Sequence, residues 1–340
     1  MTRIYKHRLF WPLVALAALL LACSIKRPDI LGITVLDGHL FGAPIDILRN
    51  SAPLLLVALG MTLVIATRGI DLSVGATVAI AGAVALTFIA SSDQPGSLGT
   101  ALGAIFVAVG LCFLLGCFNG LLVAKFGIQP IIATLILMTA GRGMAMLITN
   151  GQITTVTSAP FSSLASGFLM GLPVAAIIAY GVYLVVSILV RRTALGMLLE
   201  SVGINPEASR LAGVKSKTLV FTVYALCGLL AGLAGLIFAS NTMAADANNA
   251  GLFIELDAIL AVVIGGTSLA GGKFNLSGTL IGVLIITTLS LTVTVLGVSP
   301  LVTSLFKAIV VIAVTLMMST RLRTMLAGLR ERRRFQEVSA

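Results

Sequence analysis

Nine stretches of 17 to 25 residues (9–25, 50–67, 72–90, 100–124, 128–149, 172–190, 219–240, 276–296 and 301–319) carry at most one charged side chain each. A bilayer core needs about 20 apolar residues per crossing, and only a structure that pairs its own backbone groups survives there. Helices of that length are therefore the predicted elements. A tenth uncharged window, 258–272, is shorter. Composition closes off the soluble alternative: 58% of residues are hydrophobic and 10% charged, against about 25% charged in a soluble domain. The expected fold class is an all-α polytopic membrane protein with about ten transmembrane helices.

The charge balance, 22 Lys and Arg against 12 Asp and Glu, reads as topology rather than as a nucleic-acid footprint. Placing both termini on the cytoplasmic side puts 17 of the 22 basic residues there. Only Lys26, Arg27 and Arg49 fall outside, and Arg142 and Lys307 lie within spans. That bias is the positive-inside rule. One transmembrane domain is expected over 1–320, with a cytoplasmic loop at 191–218, followed by a basic cytoplasmic tail at 321–340. Near the start, Leu20-Leu21-Ala22-Cys23 resembles a lipoprotein cleavage site. Leu21 and the immediate Lys26-Arg27 favour an uncleaved first helix instead.

Soluble chemistry finds little support. Gly272-Lys273 suggests a phosphate loop, but Thr267 stands where the first glycine is required and Phe274 where a Ser or Thr would meet magnesium. No cofactor or metal is therefore expected on this chain. His7 and His39 are too few for a metal site, and Cys23, Cys112, Cys117 and Cys227 sit in or at the end of apolar runs as packing residues.

Glycine is the residue that shapes the spans. The pairs Gly99/Gly103, Gly116/Gly120, Gly228/Gly232 and Gly278/Gly282 repeat at one helical turn, the spacing that lets membrane helices approach closely. The stretch at 258–275 is short and glycine-rich and starts beside Glu255 and Asp257. A broken or re-entrant element, tolerated where it is enclosed by protein, and a short ordinary helix both stay open. Asp71-Leu72-Ser73 and Asn275-Leu276-Ser277 are a faint echo that each open a span in the same direction.

Polar residues at membrane depth are expensive and so become functional candidates. Arg142 fits an ion pair or carbonyl clamp, a pathway lining, or a boundary position. Asp71, Ser73, Asn119, Thr134, Glu255 and Asp257 complete the translocation-pathway candidates. Lys307 can snorkel. In the loop 191–218, Asn205-Pro206-Glu207 is a helix start and Gly213 a stop. That predicts a short helix presented on the cytoplasmic face, either as a docking element or as a solvated loop.

Four blocks then carry a resemblance: NSAPLLLVALGMTLVIATRGIDLSVGA (50–76), IQPIIATLILMTAGRG (128–143), TALGMLLESVGINPEASRLAGV (193–214) and ELDAILAVVIGGTSLAGG (255–272). In that order they resemble the membrane permease subunits of ribose-type sugar importers powered by an ATP-binding cassette. GHLFGAPIDIL (38–48) and ADANNAGLFIELDAILAVVIGG (245–266) are similar to the galactofuranose-importing branch. The resemblance implies a multi-pass protein of the bacterial inner membrane that passes a monosaccharide, galactofuranose or otherwise ribose or a similar sugar, by alternating access.

It also implies partners: a cytoplasmic ATPase holding ATP and magnesium, a periplasmic sugar-binding protein, a second and non-identical permease, and membrane lipid, with no nucleic acid. The binding protein would meet the outer loops around 29–49, 150–170 and 241–251. The family's coupling helix maps onto Glu200, Gly203, Asn205, Ala208 and Gly213. Arg68 stands where that family usually has Gly. The rival reading from the residues alone is an ion-coupled secondary carrier with Arg142, Glu255 and Asp257 as its coupling site. A scaffold or sensor is the third.

Overall fold

The computed structural model describes residues 9–26, 28–36, 38–297, 305, 307–309 and 312. The basic segment before Leu9, most of the expected tenth span and the tail 321–340 lie outside the described residues. Within them the chain is predominantly helical. The helices are α1 (Phe10–Lys26), α2 (Ala43–Ala66), α3 (Val74–Ala90), α4 (Leu98–Ala124), α5 (Pro130–Ile148), α6 (Ala159–Ser166), α7 (Val174–Arg192), α8 (Leu195–Ile204), α9 (Pro206–Leu211), α10 (Ser216–Thr242), α11 (Ile254–Ile264) and α12 (Leu276–Val295).

Six of these, α2, α4, α5, α7, α10 and α12, are long and apolar enough to cross a membrane. The 17-residue helices α1 and α3 sit at the lower limit for crossing. With only 11 residues, α11 is about 16 Å long at 1.5 Å per residue, roughly half a bilayer.

Helix α2 is the axis of the bundle. Its charged and amide residues Asp46, Arg49 and Asn50 are confined to the first half, and from Leu54 to Ala66 every residue is buried, as a stretch with no polar face must be. It packs against α7, α10, α11 and α12. By contrast α4, α5 and α7 turn large apolar side chains outward, among them Phe106, Leu114, Ile136, Leu147 and Val185. An exposed belt of this kind would be a liability in water; here it is the lipid-facing wall.

Small residues set the closest approaches. A side chain at Gly228 would meet the Cys112 carbonyl oxygen at 2.5 Å and the Gly116 Cα at 2.7 Å. One at Gly116 would meet the Tyr224 carbonyl oxygen at 2.6 Å. The glycine pairs 116/120 and 228/232 thus interlock α4 with α10, while Gly278 and Gly282 press α12 onto the backbone of α11. The pair Gly99/Gly103 behaves differently: Gly99 meets only its own Ser97, and Gly103 meets the Phe88 ring at 3.3 Å, so no backbone approaches there.

Hydroxyls tie the helices where lipid supplies no hydrophobic drive. Thr62 and Thr279 join α2 to α12 at 2.9 Å, Ser51 and Tyr180 join α2 to α7 at 2.9 Å, and Cys23 and Thr292 join α1 to α12 at 3.0 Å.

The loops expected outside gather at one end. There β1 (Thr34–Leu36) pairs with β2 (His39–Phe41), β3 (Thr154–Thr155) with β6 (Ala244–Ala245), and β4 (Phe168–Leu169) with β5 (Leu172–Pro173). His39 stacks on Phe168, and Ser240 at the end of α10 donates to the Phe161 carbonyl of α6 at 2.8 Å. Neither these strand pairs nor α6 was legible as periodic sequence. Replacing Gly228 with Leu should cost roughly 1–3 kcal/mol through overpacking. Thermal unfolding of the purified protein in detergent measures it, and Gly99→Leu should leave the midpoint unchanged.

Candidate functional site

Two ends of the bundle carry the sequence candidates, and the geometry of each is different. At the end expected to face the cytoplasm, the chain leaves α7 and forms two helices rather than one. The first, α8, precedes Asn205, and the second, α9, follows it. Asn205 is the N-cap of α9: its side-chain oxygen accepts from the backbone N–H groups of Glu207 at 3.1 Å and Ala208 at 3.0 Å. Such a cap contributes about 1 kcal/mol. Gly213 ends the segment in the left-handed region at φ +87°, a conformation that costs glycine little.

The packing beneath this segment explains Gly203. A side chain there would collide with the Ala66 carbonyl of α2 and with Gly272. The Gly272 N–H in turn donates to the Ala66 carbonyl oxygen at 2.9 Å. So α8, the end of α2 and the turn before α12 meet backbone to backbone at one point. Glu200 lines a groove of about 330 Å³ between α7, α8 and the start of α12, together with Arg191 and Asn275.

Arg68 adds to the same junction. Its backbone is left-handed at φ +65°, which is costly for a residue with a Cβ. Its guanidinium donates to the Ile204 carbonyl at the C-terminal end of α8, where the helix dipole favours a cation.

The outer surface of α8 and α9 is open. Ala208 and Glu207 are exposed, and three apolar side chains project beside them: Met197 at 69%, Ile204 at 58% and Leu211 at 77% exposure. These three residues escaped sequence reasoning because their neighbours are equally apolar; only the turn at Asn205 separates them from a span. Arg210 holds the Glu207 carboxyl below its ordinary range, but this pair is open to solvent and so contributes little to stability.

The pathway candidates divide into two groups. Asp71, Ser73, Asn119 and Thr134 are drawn together around the α2–α3 turn and are buried. The Ser73 N–H and hydroxyl donate to Asp71 Oδ1 at 3.0 and 2.6 Å, and Asn119 Nδ2 donates to the Ser73 hydroxyl at 2.9 Å. Thr134 donates to the Ile70 carbonyl at 3.3 Å and to Pro130 of its own helix at 2.9 Å. This network closes a turn among α3, α4 and α5.

The second group lies toward the other end. Arg142 Nη1 donates to the carbonyls of Ala247 at 3.0 Å and Ala250 at 2.6 Å, a clamp on the loop between α10 and α11. Asp246 caps that loop by accepting from the N–H groups of Asn248 and Asn249. The Asn249 side chain, bonding at 2.7 Å, holds the Asp246 carboxyl below its ordinary range.

Glu255, buried in the first turn of α11, occupies the space that Gly75 leaves beside α3. Asp257 pairs with Lys307 at 2.7 Å. Among the described residues no hydrogen bond or ion pair joins Arg142, Glu255 and Asp257 to one another: the first bonds carbonyls and the third a lysine. Among the described residues no group of His, Cys, Asp and Glu could hold a metal ion.

A lipid-facing bundle with an enclosed half-length helix and one docking-type end is the build of a membrane transport subunit. The chain belongs to the family described as the permease component of branched-chain amino acid transport systems, whose model matches residues 43–315. It is similar to the galactofuranose transporter permease YtfT of Escherichia coli strain K12, 48% identical over 333 residues that cover 96% of each chain. It is also similar to the fructose import permease FruF of Bifidobacterium longum, 41% identical over 97% of this chain and 93% of that one. The ribose import permease RbsC of Escherichia coli strain K12 is 39% identical over 89% and 91%. No solved structure matches the chain. The protein is a multi-pass permease of the inner membrane.

The two contributions of Arg68 can be separated. Arg68→Ala keeps the backbone cost and loses the bond to Ile204, whereas Arg68→Gly loses the bond but also relieves the backbone. The Gly variant should melt above the Ala variant by the equivalent of about 1 kcal/mol, read from thermal unfolding in detergent.

Proposed function

We propose that this chain is one permease of a two-permease, ATP-driven importer of a monosaccharide, with galactofuranose as its substrate. The observation that carries the reading is the 48% identity to YtfT across 96% of both chains. Identity spread over the full length includes the outer loops as well as the spans. The family's own description names branched-chain amino acids, whereas the three relatives described above are sugar permeases by name. The nearer comparison is the better guide to substrate.

In this reading both termini are cytoplasmic and the bundle has ten spans, with 258–275 as a broken element held inside the protein. Helix α11 supports it, being too short to cross and closed at its end by the turn 265–275. A cytoplasmic ATPase seats on α8 and α9 against Ala208, Glu207 and the apolar trio Met197, Ile204 and Leu211. ATP and magnesium stay on that partner.

Closure of the ATPases moves α8, and the junction of Gly203 with Ala66 and Gly272 passes the displacement to α2 and to the turn before α12. Backbone contact without intervening side chains is stiff, which suits a coupling point. At the opposite end a periplasmic binding protein delivers the sugar to the surface built from β1 to β6 and α6. A second, non-identical permease completes the pathway.

The ion-coupled carrier is disfavoured by the partners that Arg142 and Asp257 already have. Uptake into proteoliposomes decides between the two. With ATPase, second permease and binding protein co-reconstituted, ATP inside should drive accumulation of labelled sugar. Uptake driven by an ion gradient from this chain alone would contradict the reading.

A further inference from the structure

At the outer end, between the first half of α2, the last half of α12 and the loop entering α11, lies a cavity of about 570 Å³. That is within the 300–1,000 Å³ range typical of small-molecule sites. Three walls meet there. From α12 come Thr287, Ser290 and Thr294, spaced at i, i+3 and i+7 and so aligned on one face of the helix. From α2 comes Asn50, and from the α10–α11 loop Asn249. Asp257 at the start of α11 stands beside them, and Phe238 supplies an aromatic wall.

A polar stripe on a membrane helix is not required for packing, since the buried face of α12 is already served by Thr279, Thr288 and Thr292. Ser290 and Thr294 donate to the carbonyls of Ile286 and Ser290 within α12, each at 3.1 Å. Their oxygens therefore keep lone pairs to offer toward the cavity.

Charge narrows the ligand further. Asp257 is the one ionisable residue in this lining, and Lys307 already neutralises it at 2.7 Å. A carboxylate balanced in this way can still accept hydrogen bonds from hydroxyls. Among the described residues nothing in the lining offers an unpaired cation to an anionic ligand. Amides, hydroxyls, a neutralised carboxylate and an aromatic face match a neutral polyhydroxylated molecule.

We propose that this cavity is a sugar subsite within the single protomer, where a monosaccharide released at the outer end pauses before crossing. The inference rests on the sugar-importer reading and adds a location and contact residues to it. Arg142 is then a positioning residue: by clamping the Ala247 and Ala250 carbonyls it fixes the loop that presents Asn249 and Gly251 to the cavity.

The test uses the complete importer in proteoliposomes: this chain, its ATPase, its second permease and its binding protein. Labelled galactose, ribose and fructose serve as probes, and leucine as the amino-acid control. Ser290→Phe places a ring in the middle of the polar stripe and should lower sugar uptake at least about tenfold, while ATPase stimulation by the loaded binding protein is retained. Thr287→Val, which removes one hydroxyl at nearly constant volume, should raise the transport KM about three- to tenfold with little change in maximal rate.

As a check that does not depend on Ser290→Phe folding, Ser290→Cys should react with a small water-soluble thiol reagent and be protected by transported sugar. The same reagent on the unsubstituted protein sets the background from the native cysteines. Wild-type uptake of leucine and of no sugar would overturn the importer reading itself. Wild-type sugar uptake, together with an unimpaired Ser290→Phe and an unprotected Ser290→Cys, would overturn the subsite alone.

Discussion

The backbone junction at the end of α2 is the contact on which the rest of the structure depends. A helix buried on every side has no water to satisfy its last carbonyls, so those groups must find partners in the protein. The Ala66 carbonyl finds one in the Gly272 N–H, and α8 can lie against that bond only because Gly203 carries no side chain to collide with it. A requirement of α2 alone thereby ties three distant parts of the chain together: the central helix, the α8–α9 loop and the turn that closes α11. Arg68 reinforces the knot from the surface side by bonding Ile204.

The two ends of the bundle solve different problems with the same economy. At the α8–α9 end, the hydrogen bonds fix the backbone and leave apolar side chains projecting, the surface on which the proposed ATPase would seat. At the opposite end, short strand pairs and the Arg142 clamp shape the loops, and polar side chains line part of a cavity, the space proposed for the sugar. Between them glycines interlock α4 with α10 and α11 with α12, backbone against backbone. A permease must be stiff where force enters and accommodating where cargo sits, and this distribution of side chains meets both needs.

Much of the fold was legible because the membrane imposes a strict rule: long uncharged windows are helices. The windows at 100–124 and 276–296 match α4 and α12 closely. The turn at Asn205 was also readable, since a capping side chain, a proline and an acid occupy successive positions. What sequence could not show was what buried polar residues do. Asp71, Ser73, Asn119 and Thr134 look like pathway groups when counted by their cost in lipid, yet they hydrogen-bond to one another and to a turn backbone. Thr287, Ser290 and Thr294 look like ordinary helix threonines and serines, and only the fold shows that their shared face meets Asn50 and Asp257. The docking trio Met197, Ile204 and Leu211 was hidden for the opposite reason, because in a chain this apolar another exposed leucine carries no signal.

The central claim is that force enters through α8 and α9, and site-directed cross-linking tests it most directly. A cysteine at the exposed Ala208, paired with cysteines scanned over the partner ATPase in the assembled complex, should form disulfide cross-links whose yield changes between the nucleotide-free and ATP-bound states. A cysteine at Leu169 on the opposite end should form none. Failure of Ala208→Cys to cross-link to the ATPase in any nucleotide state, with sugar uptake by the variant intact, would contradict the account.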